Sequence, residues 1–181
     1  MRTADLDLLF VAGLAGSGPD HWQTRWRGKL PTARLVEQAD WDRPQLSRWV
    51  DSLIEACAAA ERPIVLVAHS LGVTTTAHAA ALLPPGLIKG AFLVAPPSDQ
   101  GLIAAGVGEF APTPSAPLPF LSLLVASHTD PYGPYSFAET KAVQWGSRLV
   151  AAGESGHINA DSGHGPWPEG LMLFAGFIKR L

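Results

Sequence analysis

The sequence predicts an α/β fold in which an open, mostly parallel sheet carries helices on both faces. Short apolar runs recur at residues 6–12, 34–39, 63–68, 89–95, 120–126 and 148–152. Several lack the polar alternation of a half-exposed strand, as expected when both faces are covered. Segments with helical spacing lie between them, and this alternation implies right-handed crossovers, because parallel neighbours need a connection long enough to hold a helix. Such sheets bind ligands beyond the carboxyl ends of their strands.

In chain order, the run 6–12 ends in a glycine-rich turn, Gly13-Leu14-Ala15-Gly16-Ser17-Gly18, and residues 20–29 form the first helix. After the run 34–39, residues Leu46, Trp49, Val50, Leu53, Ile54 and Cys57 share one face of a second helix, with Asp42 as its N-cap and Pro44 in its first turn. The run 63–68 leads into a helix over 71–83 that stops at Pro84-Pro85-Gly86. The stretch 98–119 breaks the pattern. Pro112, Pro114, Pro117 and Pro119 exclude a long regular helix there, and a long loop of this kind is often functional. Two further units follow, the run 120–126 with a helix over 135–145, and the run 148–152 with a helix from Trp167 to the C-terminus, Pro168 in its first turn.

The length of 181 residues suits one domain over 1–181. Hydrophobic residues make up 47% and charged residues 16% of the chain, against about 25% charged on average, so a large interior is expected and disorder is excluded. The 18 glycines and 16 prolines predict many turns. A formal net charge of −3, with no run of lysine or arginine, argues against a nucleic-acid partner. Cys57 is the only cysteine, which excludes an internal disulfide and a thiolate metal site. Acids within the first seven residues make a poor signal peptide, and no apolar run approaches the roughly 20 residues that cross a bilayer. A cytoplasmic protein without membrane attachment is the expectation.

The segment Pro63-Ile64-Val65-Leu66-Val67-Ala68-His69-Ser70-Leu71-Gly72 reads as a buried strand, a tight turn at Ser70 and a helix start. It fits the nucleophile elbow of α/β hydrolases, where residues two before and two after the serine must be small so that strand and helix can cross. Ala68 and Gly72 meet that need. Ser70 Oγ would then stand above the sheet, with the Leu71 N–H aimed at developing negative charge. The plainer alternative is that Ser70 only caps the helix.

A serine nucleophile needs a base, usually histidine, oriented by a carboxylate. Of the six histidines, His69 and His78 read as structural and His21 as a packing or capping residue. Residue type alone does not exclude His128 or His164. The chain order serine, acid, histidine places the base after the last strand, which favours His157, on the loop with Gly153 and Gly156 just before it, over His164. The same logic favours Asp130, after the run 120–126, over Asp99 and Asp161, although Asp130 could instead cap the helix near Tyr135. A second oxyanion donor is expected at the Leu14 N–H, after the sharp turn at Gly13. The glycine-rich turn lacks both the dinucleotide spacing and the Walker lysine, so no cofactor is expected. Trp22, Trp26 and the segment ending at Phe120 are candidate substrate-pocket walls.

Together the segments His21-Trp22-Gln23-Thr24-Arg25-Trp26, Ala68-His69-Ser70-Leu71-Gly72, the stretch Leu123 through Tyr132, and Gly153-Glu154-Ser155-Gly156-His157-Ile158-Asn159 with its continuation to Gly170 resemble the small serine hydrolases that include retinoblastoma-binding protein 9 and bacterial relatives. The resemblance covers nearly the whole chain. It implies Ser70, Asp130 and His157 as nucleophile, acid and base, a six-stranded sheet of order 2-1-3-4-5-6, no large lid domain, and hydrolysis of a small ester or amide through an acyl-enzyme. A non-catalytic binding module on the same scaffold is the competing expectation.

Overall fold

The computed structural model describes residues 1–181. Its elements are β1 (Asp7–Val11), α1 (Trp22–Arg27), β2 (Ala33–Leu35), α2 (Leu46–Ala58), β3 (Ile64–His69), α3 (Leu71–Ala79), β4 (Ile88–Val94), α4 (Asp99–Ala104), β5 (Leu121–Ala126), α5 (Tyr135–Trp145), β6 (Arg148–Ala151) and α6 (Pro168–Ile178). The six strands form one parallel sheet in the order β2-β1-β3-β4-β5-β6. The order reverses at β1: β2 pairs on one side of it and β3 on the other. The loops after β1 and β3 therefore open into the same crevice.

Alternation along the strands sends side chains to two separate cores. On one face, Leu9, Val11, Leu66, Ala68, Ala91, Leu93 and Leu124 pack against Val50, Leu53 and Cys57 of α2, Val73 of α3 and Trp145 of α5. On the other, Phe10, Val65, Val67, Phe92 and Val125 pack against Trp22 and Trp26 of α1, Trp167, and Phe174 and Phe177 of α6. Trp26 and Trp167 stack there with centroids 5.6 Å apart. Burial pushes the Cys57 thiol up to about 12. No helix is long and apolar enough to cross a membrane.

The helix starts and stops correct the sequence reading at several ends: α1 stops at Arg27 and α6 runs from Pro168, after its N-cap Trp167, to Ile178. α1 begins later than residue 20 because His21 is its N-cap, accepting the Gln23 N–H at Nδ1. α2 begins at Leu46, beyond Asp42 and Pro44. The turn before it belongs to Asp40, which accepts the N–H groups of Asp42 and Arg43, while Glu109 receives the Leu46 N–H from a distant loop. α3 ends at Ala79 rather than at residue 83, since Pro84 has no N–H for the Ala80 carbonyl four residues earlier and its ring would clash with it.

Asp7 begins β1 at the end of the sheet away from this crevice and is buried. Burial alone would raise its pKa, but N–H groups of Arg62 and Glu61 and the Arg62 and Arg34 guanidiniums hold it below the ordinary carboxylate value. Asp7→Asn should lower the unfolding free energy by about 2 kcal/mol, because these donors lose a charged acceptor. Urea denaturation with an unchanged m-value is the measurement.

Candidate active site

β3 delivers the chain to Ser70, whose φ is +54°, a conformation that costs free energy for a residue with a Cβ and persists only where its surroundings enforce it. The Ser70 N–H donates to Val94 O (3.0 Å) and the Val73 N–H to Ser70 O (2.8 Å). α3 then passes so close to β1 that a Cβ on Gly72 would collide with the carbonyl oxygens of Val11 and Ala12. A Cβ on Gly13 would lie 2.9 Å from that of Ser70.

The Ser70 side chain does not cap α3. Its Oγ lies 2.8 Å from His157 Nε2, and His157 Nδ1 lies 2.9 Å from both carboxylate oxygens of Asp130. The carboxylate can only accept, so the imidazole proton sits on Nδ1 and Nε2 accepts from the Ser70 hydroxyl. The His157 and Asp130 side chains are only 9% and 3% exposed. Asp130 also accepts the Tyr132 N–H, and Pro134 rather than Asp130 occupies the N-cap of α5.

The loop carrying His157 is tied down from several directions. Ser155 N–H donates to Ser127 Oγ, Gly156 N–H to Thr129 Oγ1, and Trp22 Nε1–H to Ile158 O. His69 is wholly buried, and burial drives its pKa well below the ordinary histidine value. As a neutral ring it donates from Nε2 to the His157 carbonyl oxygen at 2.9 Å.

The rival residues have other partners. Asp99 accepts the N–H and hydroxyl of Thr113. His78 donates to Phe110 O, His128 packs on Tyr135 at 4.0 Å, and His164 Nδ1 lies 3.2 Å from Ser162 Oγ. No three His, Cys, Asp or Glu side chains converge as a metal-binding group.

A cavity of about 500 Å³ surrounds Ser70. Leu14 and Leu71 both line it, and neither backbone N–H has a protein acceptor. One wall is apolar, built from Leu14, Leu71, Pro97, Leu102, Ala105 and Val107. The polar part of the lining includes His21, His69, Asn159 and Asp161, while Tyr132 stands beside His157 with ring centroids 4.5 Å apart.

Trp22, Trp26 and Phe120 are not among the lining residues. Trp22 and Trp26 are consumed by the core, with their indole N–H groups donated to Ile158 O and Pro166 O. Phe120 packs against the α2 and α5 side of the sheet. The stretch 98–119 does reach the site, through Gly101, Leu102, Ala105 and Val107. Sequence reasoning missed His21, Tyr132, Asn159 and Asp161 as wall residues. For three of them the available signal was position, within four residues of Asp130 or His157.

A parallel sheet of this order, with a serine on a positive-φ turn between β3 and α3, defines an α/β hydrolase. The serine hydrolase family model matches residues 8–176, and the chain belongs to that family. It is 34% identical to a YdeN-like hydrolase of Pectobacterium atrosepticum, with a TM-score of 0.87 over 97% of this chain and 91% of that one. The ydeN gene product of B. subtilis shares the fold at 21% identity and a TM-score of 0.76, with 95% and 98% of the two chains covered. Thermogutta terrifontis esterase 2 does so at 16% identity and 0.69, with 99% and 85% covered. No curated protein sequence matches the chain.

Burial, followed by the nearby charge of His157, lowers the His21 pKa to about 4. In the unfolded chain it returns to about 6.5, so below that pH the unfolded state binds the extra proton. This contribution is fully present above pH 6.5 and is lost as pH falls toward 4, by about 3 kcal/mol. Tm should decline across that window, and His21→Asn, which keeps a capping acceptor for Gln23, should flatten the decline.

Proposed function

We propose that this serine hydrolase cleaves a small ester or amide through an acyl-enzyme on Ser70. The observation that carries the reading is the unbroken hydrogen-bonded path from Ser70 Oγ through His157 to Asp130. His157 Nε2 takes the hydroxyl proton as Oγ attacks the carbonyl carbon, and Asp130 stabilises the imidazolium that forms. The oxyanion is received by the Leu14 and Leu71 N–H groups, each lowering the barrier by about 3 kcal/mol. His157 then protonates the leaving group, and water activated by the same ring releases the acid.

The apolar part of the lining, which includes Leu102, Ala105 and Val107, belongs to a cavity of about 500 Å³, which favours a short acyl group over a long lipid chain. Ester cleavage is the first activity to test, because a structural neighbour from Thermogutta terrifontis is named an esterase.

A fluorophosphonate probe should label the native protein, and Ser70→Ala should abolish the label. His157→Ala should abolish acylation, whereas His164→Ala should keep most of it. Asp130→Asn should reduce kcat by about 10⁴-fold through the wrong imidazole tautomer. Asp99→Asn should instead lower stability by about 1–2 kcal/mol with its two Thr113 bonds weakened. Equal labelling of native protein and Ser70→Ala, or a larger kinetic loss at Asp99 than at Asp130, would overturn the assignment.

A further inference from the structure

His21 is a polar group of the cavity that acyl transfer on Ser70 leaves unused. Its Nδ1 accepts the Gln23 N–H at 3.2 Å, which in a neutral imidazole puts the proton on Nε2. The residue is 6% exposed, and burial keeps it neutral across the ordinary working range. The side-chain polar atoms sealed from solvent without a partner are Gln38 Oε1, Thr74 Oγ1 and Gln144 Oε1. His21 Nε2 is not one of them, and no protein group accepts its proton, so this donor opens on the cavity that His21 lines together with Ser70.

The location of that donor follows from the ring contacts. His21 packs edge-on against His69 with centroids 4.7 Å apart, and His69 packs against His157 at 4.9 Å. The three imidazoles therefore form one contiguous wall, and Asn159 and Asp161 also line the cavity. Because His157 must hand its proton to the departing atom, the leaving group stands along this wall while the acyl group faces Leu102 and Val107. The charge on the wall restricts what it can receive. Asp161 is exposed and makes no ion pair, so an anionic leaving group meets a carboxylate and an imidazole that stays uncharged. A neutral group that accepts from His21 and can donate to its neighbours meets no such repulsion.

We propose that the wall formed by His21, Asn159 and Asp161 selects leaving groups carrying a neutral oxygen acceptor, a hydroxyl or a carboxamide, which receives the His21 Nε2–H. The inference rests on the Ser70 hydrolase reading. A single neutral hydrogen bond of this kind changes specificity by about five- to tenfold.

The test measures kcat/KM on two matched pairs, 2-hydroxyethyl against propyl butyrate and N-(2-hydroxyethyl)- against N-propylbutyramide, each ratio divided by the ratio for hydroxide hydrolysis. Native protein should prefer the hydroxylated member of the pair it turns over by about five- to tenfold. His21→Asn, too short to place a donor at the Nε2 position, should bring the ratio to about one. His21→Gln, whose amide nitrogen reaches that position, should keep most of it. A native protein that turns over a pair without preference, or a preference that survives in His21→Asn, would overturn the inference and leave the Ser70 reading standing. So would a preference seen only when the hydroxyl is moved to the acyl part, as in propyl 3-hydroxybutyrate. Failure to hydrolyse either pair, with no uptake of the fluorophosphonate, would instead remove the Ser70 reading and this inference with it. A native ratio of one overturns the inference even where a His21 variant does not fold.

Discussion

The site depends on one steric constraint, the crossing of α3 over the end of β1 with no room for a side chain between them. Gly72 meets the Val11 and Ala12 carbonyls, and Gly13 lies beneath Ser70 Cβ. With both contacts made, the chain between β3 and α3 has no relaxed path, and Ser70 takes a positive φ. The strain is sustained by the sheet, since β3 is paired along its length with β1 and β4 and cannot slide to relieve it. The same crossing brings the Gly13 turn and the first turn of α3 together, so Leu14 and Leu71, whose N–H groups have no protein acceptor, line one cavity.

Much of the architecture was legible because the inner strands are apolar on both faces and the helices between them bury a single stripe. The six runs became six strands, and the Ser70 elbow was readable from Ala68 and Gly72 flanking a serine between a β-branched run and a helix. Element ends were less legible. The start of α2 is set by Asp40 and by Glu109 from 63 residues away, and no local pattern encodes a distant cap. His157 and Asp130 are legible from their places on the loops after the last strand and the one before it. The pocket walls were misjudged for a physical reason. Large aromatic residues near a site suggest a binding surface, but Trp22 and Trp26 carry the packing between the sheet and α6, and the walls fell to smaller residues.

The three packed histidines illustrate how one residue type is given separate tasks by its partners. His157 has a carboxylate on one nitrogen and a hydroxyl on the other, which suits it to move protons. His69 spends its one donor on the His157 carbonyl, so it acts as a brace for the loop that carries His157. His21 spends its acceptor on the start of α1 and leaves its donor without a protein partner. Burial keeps the latter two uncharged, which spares His157 two cationic neighbours that would oppose its own protonation.

The single thiol of the chain is enclosed between α2 and the sheet, with its ionisation pushed up to about 12. Maleimides and other alkylating dyes react with thiolates they can reach, so native protein offers them almost no target. A cysteine engineered onto the rim, at exposed Ala160 for instance, would therefore take a fluorophore selectively without prior removal of Cys57, and would give an optical reporter of cavity occupancy in otherwise unaltered protein.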